Sequence, residues 1–156
     1  MDGGRLVDAD LLVDKIISDA TLEGVTFLGG EPFAQAAALA YIGRRIKRHG
    51  LSVVTFTGYL LEEIKGAARP DYDELLAVTD LLIDGPFQKD CVDFSRPWVG
   101  SRNQRYHFLT DRYQQLADEI SSIPNRIEVR LKPDGRVLIN GLARTEEMSS
   151  ILRGKS

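Results

Sequence analysis

The sequence predicts an α/β fold built on a mainly parallel sheet, with a β-hairpin near the C-terminus. Three observations point there. Short, β-favouring apolar blocks alternate with helical stretches, which is the pattern of βα units. Glycine-bearing corners, Gly29-Gly30-Glu31, Thr57-Gly58-Tyr59 and Asp84-Gly85, follow three of those blocks, at the strand ends where such folds place ligands. Finally, "IEVRLKPDGRVLING" reads as two alternating strands around a turn, with Pro133 presetting one dihedral and Gly135 supplying a positive one.

The elements follow in order. "DADLLVDKIISDA" carries Leu12, Val13, Ile16 and Ile17 at helical spacing, with Asp8 or Asp10 as N-cap. The strand "VTFL" comes next, then a helix from Pro32 to about His49, with proline in its first turn and Gly50 as its stop. "LSVVTFTG" is the second strand. Two shorter helical pieces, "YLLEEIKGA" and "YDELLAVT", lead into "DLLIDGPF", whose Leu81, Leu82 and Ile83 form a third, buried strand. After Phe87 the pattern loosens into a long loop of functional character, in which only "RYHFL" reads as a strand. The expected organisation is one domain over residues 1–123, with the hairpin and tail of 124–156 packed on it or extending it. A sheet of βα units that opens on a helix lacks the strand that should precede it, so the expectation is an N-terminally truncated chain with an exposed sheet edge, poorly stable or self-associating.

Composition bounds the function classes. A chain of 156 residues holds one domain and a sizeable core, and a net charge of -3 gives no basic surface for nucleic acid. The run "RRIKRH" is a solvated helix C-terminus complementing the dipole. No apolar stretch reaches the roughly 18–20 residues of a membrane span, and "MDGGRLVDAD" is acidic where a secretory signal would be basic, so a cytoplasmic location is expected. The lone Cys91 excludes an internal disulfide framework and any site of several thiolates from this chain, and reads as an ordinary half-buried thiol. His49 and His107 are too far apart in sequence to argue for a metal.

Glycines at a strand-to-helix corner let a ligand approach backbone amides without a Cβ in the way. Alone, "GGEP" reads equally well as a tight turn with Glu31 near a helix N-terminus and Pro32 in its first turn. Four motifs in order say more. "GVTFLGGEPFAQ", "TFTGY" followed by "LLEEIK", "DLLIDGPF" and "GSRNQR", over roughly residues 3–106, resemble the radical S-adenosylmethionine activating proteins of glycyl-radical enzymes. The resemblance is nearest to the activating component of anaerobic ribonucleoside-triphosphate reductase.

That resemblance implies a partial (β/α) barrel of the radical S-adenosylmethionine type with its first strand missing. It implies cofactor contacts from Gly29, Gly30, Glu31 and Pro32, then from Thr57, Gly58 and Tyr59 near the methionine or ribose, then from Asp84, Asn103, Gln104 and Arg105. The plainer readings are a turn residue at Asp84 and a surface ion pair at Arg105. It further implies a 4Fe-4S cluster on a CxxxCxxC loop, a glycyl-radical enzyme as partner and an electron donor such as flavodoxin or ferredoxin. No such loop occurs in this sequence, so no cluster is expected on it, and the alternative is a degenerate binding or scaffold module of the same fold. An unrelated nucleotide-binding domain is disfavoured, because neither GxxxxGK nor GxGxxG is present. Trp98 and Phe94 of the late loop read either as a partner surface or as anchors on the core.

Overall fold

The computed structural model describes residues 6–93, 95–120, 123, 128–131 and 137–140, which belong to two compact units. The first unit holds the chain up to Pro86 together with Arg105–Gln115; the second holds Phe87–Gln104 and the chain from Leu116 onward.

In the first unit, α1 (Ala9–Ile17) is capped by Asp8, whose carboxylate accepts the amides of Asp10 at 2.9 Å and Leu11 at 3.1 Å. Strand β1 (Gly24–Phe27) leads to a 3-10 turn (Pro32–Gln35) and α2 (Ala36–Lys47). The helix expected from Pro32 therefore starts as a tighter turn, because Glu31 caps it by accepting the Phe33 amide at 3.0 Å. Next come β2 (Ser52–Phe56), α3 (Leu61–Gly66), α4 (Pro70–Val78), β3 (Leu81–Asp84) and β4 (Arg105–Phe108). A further 3-10 turn, Asp111–Leu116, has no counterpart in the sequence reading.

The sheet is open and four-stranded, in the order β1-β2-β3-β4. The first three strands are parallel, as expected, whereas β4 runs antiparallel to β3 with Asp84 opposite Arg105. That reversal brings Arg105 to the rim where the parallel strands end. On one face of the sheet Phe27, Val53 and Leu82 join an apolar cluster with Val13, Phe33, Ile46 and Leu75 of the helical layer. Each large side chain buried there contributes roughly 1.5–3 kcal/mol. Gly43 permits the close approach of α2 to α4, since a Cβ there would lie 2.6 Å from Val78 Cγ2.

The opposite end of the strands is fastened by Asp80. Its buried carboxylate accepts from the Val53 amide at 2.8 Å, the Lys47 ammonium at 2.5 Å and the Thr110 hydroxyl at 2.5 Å. Burial pushes this carboxyl up, but those hydrogen bonds outweigh it and hold it below the usual range. Within the basic run, Arg44 pairs with Glu74 and Arg45 with Asp10, as fits a solvated helix end.

The second unit contains a 3-10 turn (Lys89–Cys91), an antiparallel bridge between Val92 and Ser101, and the expected hairpin of β5 (Glu128–Leu131) and β6 (Val137–Asn140). The "KPDG" turn, Phe94 and the "TEEMSSILRGKS" tail lie outside the described residues. No helix among the described residues is long and apolar enough to cross a membrane.

Candidate ligand site at the strand ends

The parallel strands deliver three corners to one rim, and Glu31 ties two of them together. Its Oε1 accepts the Thr57 hydroxyl at 2.8 Å as well as the Phe33 amide, and its Oε2 accepts the Gly58 amide at 2.9 Å. Thr57 Oγ1 in turn accepts the Tyr59 amide at 3.1 Å. A charged acceptor shared between neutral donors makes stronger hydrogen bonds than a neutral one. The carboxylate thus latches the turn after β1 to the turn after β2.

Gly29 and Gly30 precede this latch at φ +87° and +58°, a conformation that favours glycine. Nothing lies within 4 Å of the place a Cβ would occupy on either residue, and no hydrogen bond among the described residues engages either amide. Two open backbone donors therefore stand beside a carboxylate. Pro32 is buried in the turn that follows and fixes its start. Tyr59, 40% exposed, lines an open cleft of about 300 Å³ together with Glu63, Ile64, Ala67 and Tyr72.

The third corner is built around Asp84, which has no exposed surface. Its Oδ2 accepts the Leu61 amide at 2.8 Å and so anchors the start of α3. Arg105 donates to Oδ1 through Nε at 3.0 Å and to Oδ2 through Nη2 at 2.5 Å, while reaching Glu62 at 3.1 and 2.7 Å. His107 Nε2 stands 3.0 Å from Asp84 Oδ2, at ion-pair distance but without hydrogen-bond alignment. Burial raises the Asp84 pKa, and the hydrogen bonds from Arg105 and the Leu61 amide, with His107 nearby, overcome it and leave the group below its usual value. Its hydrogen bonds to the Asp84 and Glu62 carboxylates raise Arg105 well above the ordinary guanidinium range, so it stays a cation.

Arg105 is indeed in an ion pair, but one with a buried partner. Asp84 does precede a turn, with Gly85 at φ +102°. Sequence reasoning missed Glu62 and His107, since their only signal is proximity across two strands and a helix.

Asn103 and Gln104 belong to the second unit and act there within their own loop. Asn103 Oδ1 accepts from the Cys91 thiol at 3.4 Å, and Gln104 Oε1 accepts the amides of Gly100 at 2.8 Å and Ser101 at 3.3 Å. Among the described residues no group of three or more His, Cys, Asp or Glu is placed to hold a metal ion.

Comparison with known proteins bears on this rim directly. Residues 1–107 match the family model described as a 4Fe-4S single cluster domain. The chain is 33% identical over 108 residues to the anaerobic ribonucleoside-triphosphate reductase-activating protein of Pasteurella multocida, covering 67% of each chain. The chain belongs to this family. The protein of the same name from Haemophilus influenzae is 33% identical over 113 residues, covering 67% of this chain and 70% of the relative. That of Escherichia coli K12 is 30% identical over 105 residues, covering 62% and 66%. The residues matched to the family model take in all three corners and reach through Arg105 and His107.

Proposed function

We propose that the chain serves in activating a glycyl-radical enzyme, binding S-adenosylmethionine at the strand-end corners and taking an anaerobic ribonucleoside-triphosphate reductase as its protein target. The observation that carries this reading is the pairing of the open Gly29 and Gly30 amides with the latched Glu31 carboxylate. An amino acid moiety needs donors for its carboxylate and an acceptor for its ammonium. The two amides supply the donors. Glu31 spends three of the roughly four acceptor positions of a carboxylate on the protein and has capacity left for an ammonium.

Thr57, Gly58 and Tyr59 then border the methionine or ribose portion, and Arg105, held by the buried Asp84, forms the charged wall beyond. Asn103 and Gln104, which the resemblance adds to the contact set, lie in the second unit, where their side-chain oxygens serve their own loop. An open, mainly parallel sheet with ligand corners at its strand ends is compatible with a partial (β/α) barrel of the radical S-adenosylmethionine type. The relatives' names support the choice of target. Reductive cleavage of bound S-adenosylmethionine, taking one electron from a donor outside these residues and releasing methionine, would supply a 5'-deoxyadenosyl radical able to take hydrogen from a glycine.

The 4Fe-4S cluster named by the family model does not fit the residues of this chain. Such clusters are held by several thiolates, and the sequence has the single Cys91, whose thiol is engaged by Gln88 and Asn103. No step through a cluster follows from these residues. The single thiol favours a second reading, a binding module of the same fold that holds ligand and target without redox chemistry. An electron donor such as flavodoxin or ferredoxin belongs to the first reading only.

Calorimetric titration with S-adenosylmethionine tests the site. A single saturable isotherm is expected, and heats indistinguishable from dilution would overturn the binding claim. Formation of 5'-deoxyadenosine by the protein isolated from its own source, under reducing, anaerobic conditions, separates the two readings. Its appearance favours the activase, and its absence with binding intact favours the module.

A further inference from the structure

In the second unit, Asp93, Arg96 and Gln104 direct their polar groups to partners within the loop from Phe87 to Gln104, while several apolar groups of the same loop are exposed. Arg96 donates to Asp93 at 3.0 Å and to the carbonyls of Ser101, Arg102 and Gln104 at 3.1–3.2 Å. Asp93 also accepts the amide and hydroxyl of Ser95, and these bonds, with Arg96 beside it, hold its carboxyl at about 2. Gln104 binds the backbone of Gly100 and Ser101. Meanwhile Phe87 is 54%, Val92 40% and Trp98 47% exposed.

Trp98 is the sharpest case. It stands exposed between buried Pro97 and Val99, and it adopts φ +65°, where a bulky side chain is a genuine outlier. A loop with only a structural duty would place glycine or asparagine at such a position and keep an indole inside. Strain held by a hydrogen-bonded frame, at a residue that displays an aromatic, is the arrangement of a docking element ordered before encounter. Tryptophan is also among the side chains that most often dominate protein interfaces.

We infer that this loop is the surface on which the chain meets its protein target, with Trp98 as the anchor that enters an apolar socket of the reductase. The inference rests on the activase reading, because the relatives' names make the target a protein. It adds a place for that target which the strand-end corners do not supply. Asp93, Arg96 and Gln104 are already engaged within the loop, so the recognition assigned to it falls on its exposed apolar and aromatic groups, Trp98 first.

The test uses the full chain and purified anaerobic ribonucleoside-triphosphate reductase from the same source, with affinity measured by interferometry. Asparagine tolerates a positive φ, so Trp98→Asn should melt a few degrees higher, while affinity for the reductase falls about 30-fold, the size of a hot-spot truncation. Trp98→Phe, which keeps an aromatic ring, should fall between. Affinity for S-adenosylmethionine should be unchanged in both. Equal affinity of wild type and Trp98→Asn for the reductase overturns the docking inference and leaves the activase reading standing. No binding by the wild-type chain overturns both. Self-association of the wild type that Trp98→Asn abolishes assigns the surface to a second copy instead, and overturns the inference.

Discussion

Replacing Asp84 with alanine should lower the melting temperature of the chain by roughly 10 °C, from a stability loss of about 2–4 kcal/mol. The carboxylate is fully buried, and its removal leaves the Leu61 amide without an acceptor where α3 begins, which costs about 1–3 kcal/mol. The ion pair adds less than a buried pair would, because Arg105 is 42% exposed and keeps Glu62. Asp84→Asn retains an acceptor for Leu61 and should lose about half as much. The pH dependence has a fixed sign. The folded-state pKa of Asp84 lies below 3.8, so the unfolded chain binds the proton first. The stabilisation is present above about pH 4 and is lost as pH falls through the folded-state value. Asp80 and Asp93 act in the same direction, Asp93 down to about 2. Melting curves between pH 6 and pH 3 should therefore fall for wild type, and less steeply for Asp84→Ala.

Glu31→Ala should have the largest effect on ligand binding, reducing S-adenosylmethionine affinity about 100-fold or more, with about 2 kcal/mol of stability lost. Three donors lose their acceptor at once: the Phe33 amide, the Thr57 hydroxyl and the Gly58 amide. With the latch gone, the turns after β1 and β2 are no longer held in register, and the acceptor proposed for the ligand ammonium disappears with them. Glu31→Gln keeps one carbonyl oxygen but turns an NH2 toward protein donors, so it should recover only part of the loss, to about 10-fold below wild type. An alanine variant that binds as wild type does would remove Glu31 from the site.

The strands and helices of the first unit were legible because their signals are local. "VTFL", "SVVTF" and "LLID" are apolar runs ended by glycine corners, and Asp8 marks a helix start. The direction of β4 was not legible, since "RYHF" carries no mark of whether it pairs parallel or antiparallel. That direction decides that Arg105 faces Asp84. Likewise "GGEP" announces a corner, but not that Glu31 would reach across 26 residues to Thr57. Contacts of this kind depend on strand order, and no short stretch encodes it. The 3-10 turn at Asp111–Leu116 escaped for another reason, because six residues without a sustained apolar period resemble a loop. In the second unit the polar sequence of the late loop concealed that Arg96, Asp93 and Gln104 serve the loop itself and leave Trp98 outside.

The most direct measurement of the central claim is a map of backbone amide shifts in the isotopically labelled chain as S-adenosylmethionine is added. The account predicts that the Gly29 and Gly30 amides move most, followed by Gly58, and that the Gly29 and Gly30 movements vanish in Glu31→Ala. Saturable shifts centred elsewhere, with Gly29 and Gly30 unmoved, would contradict it.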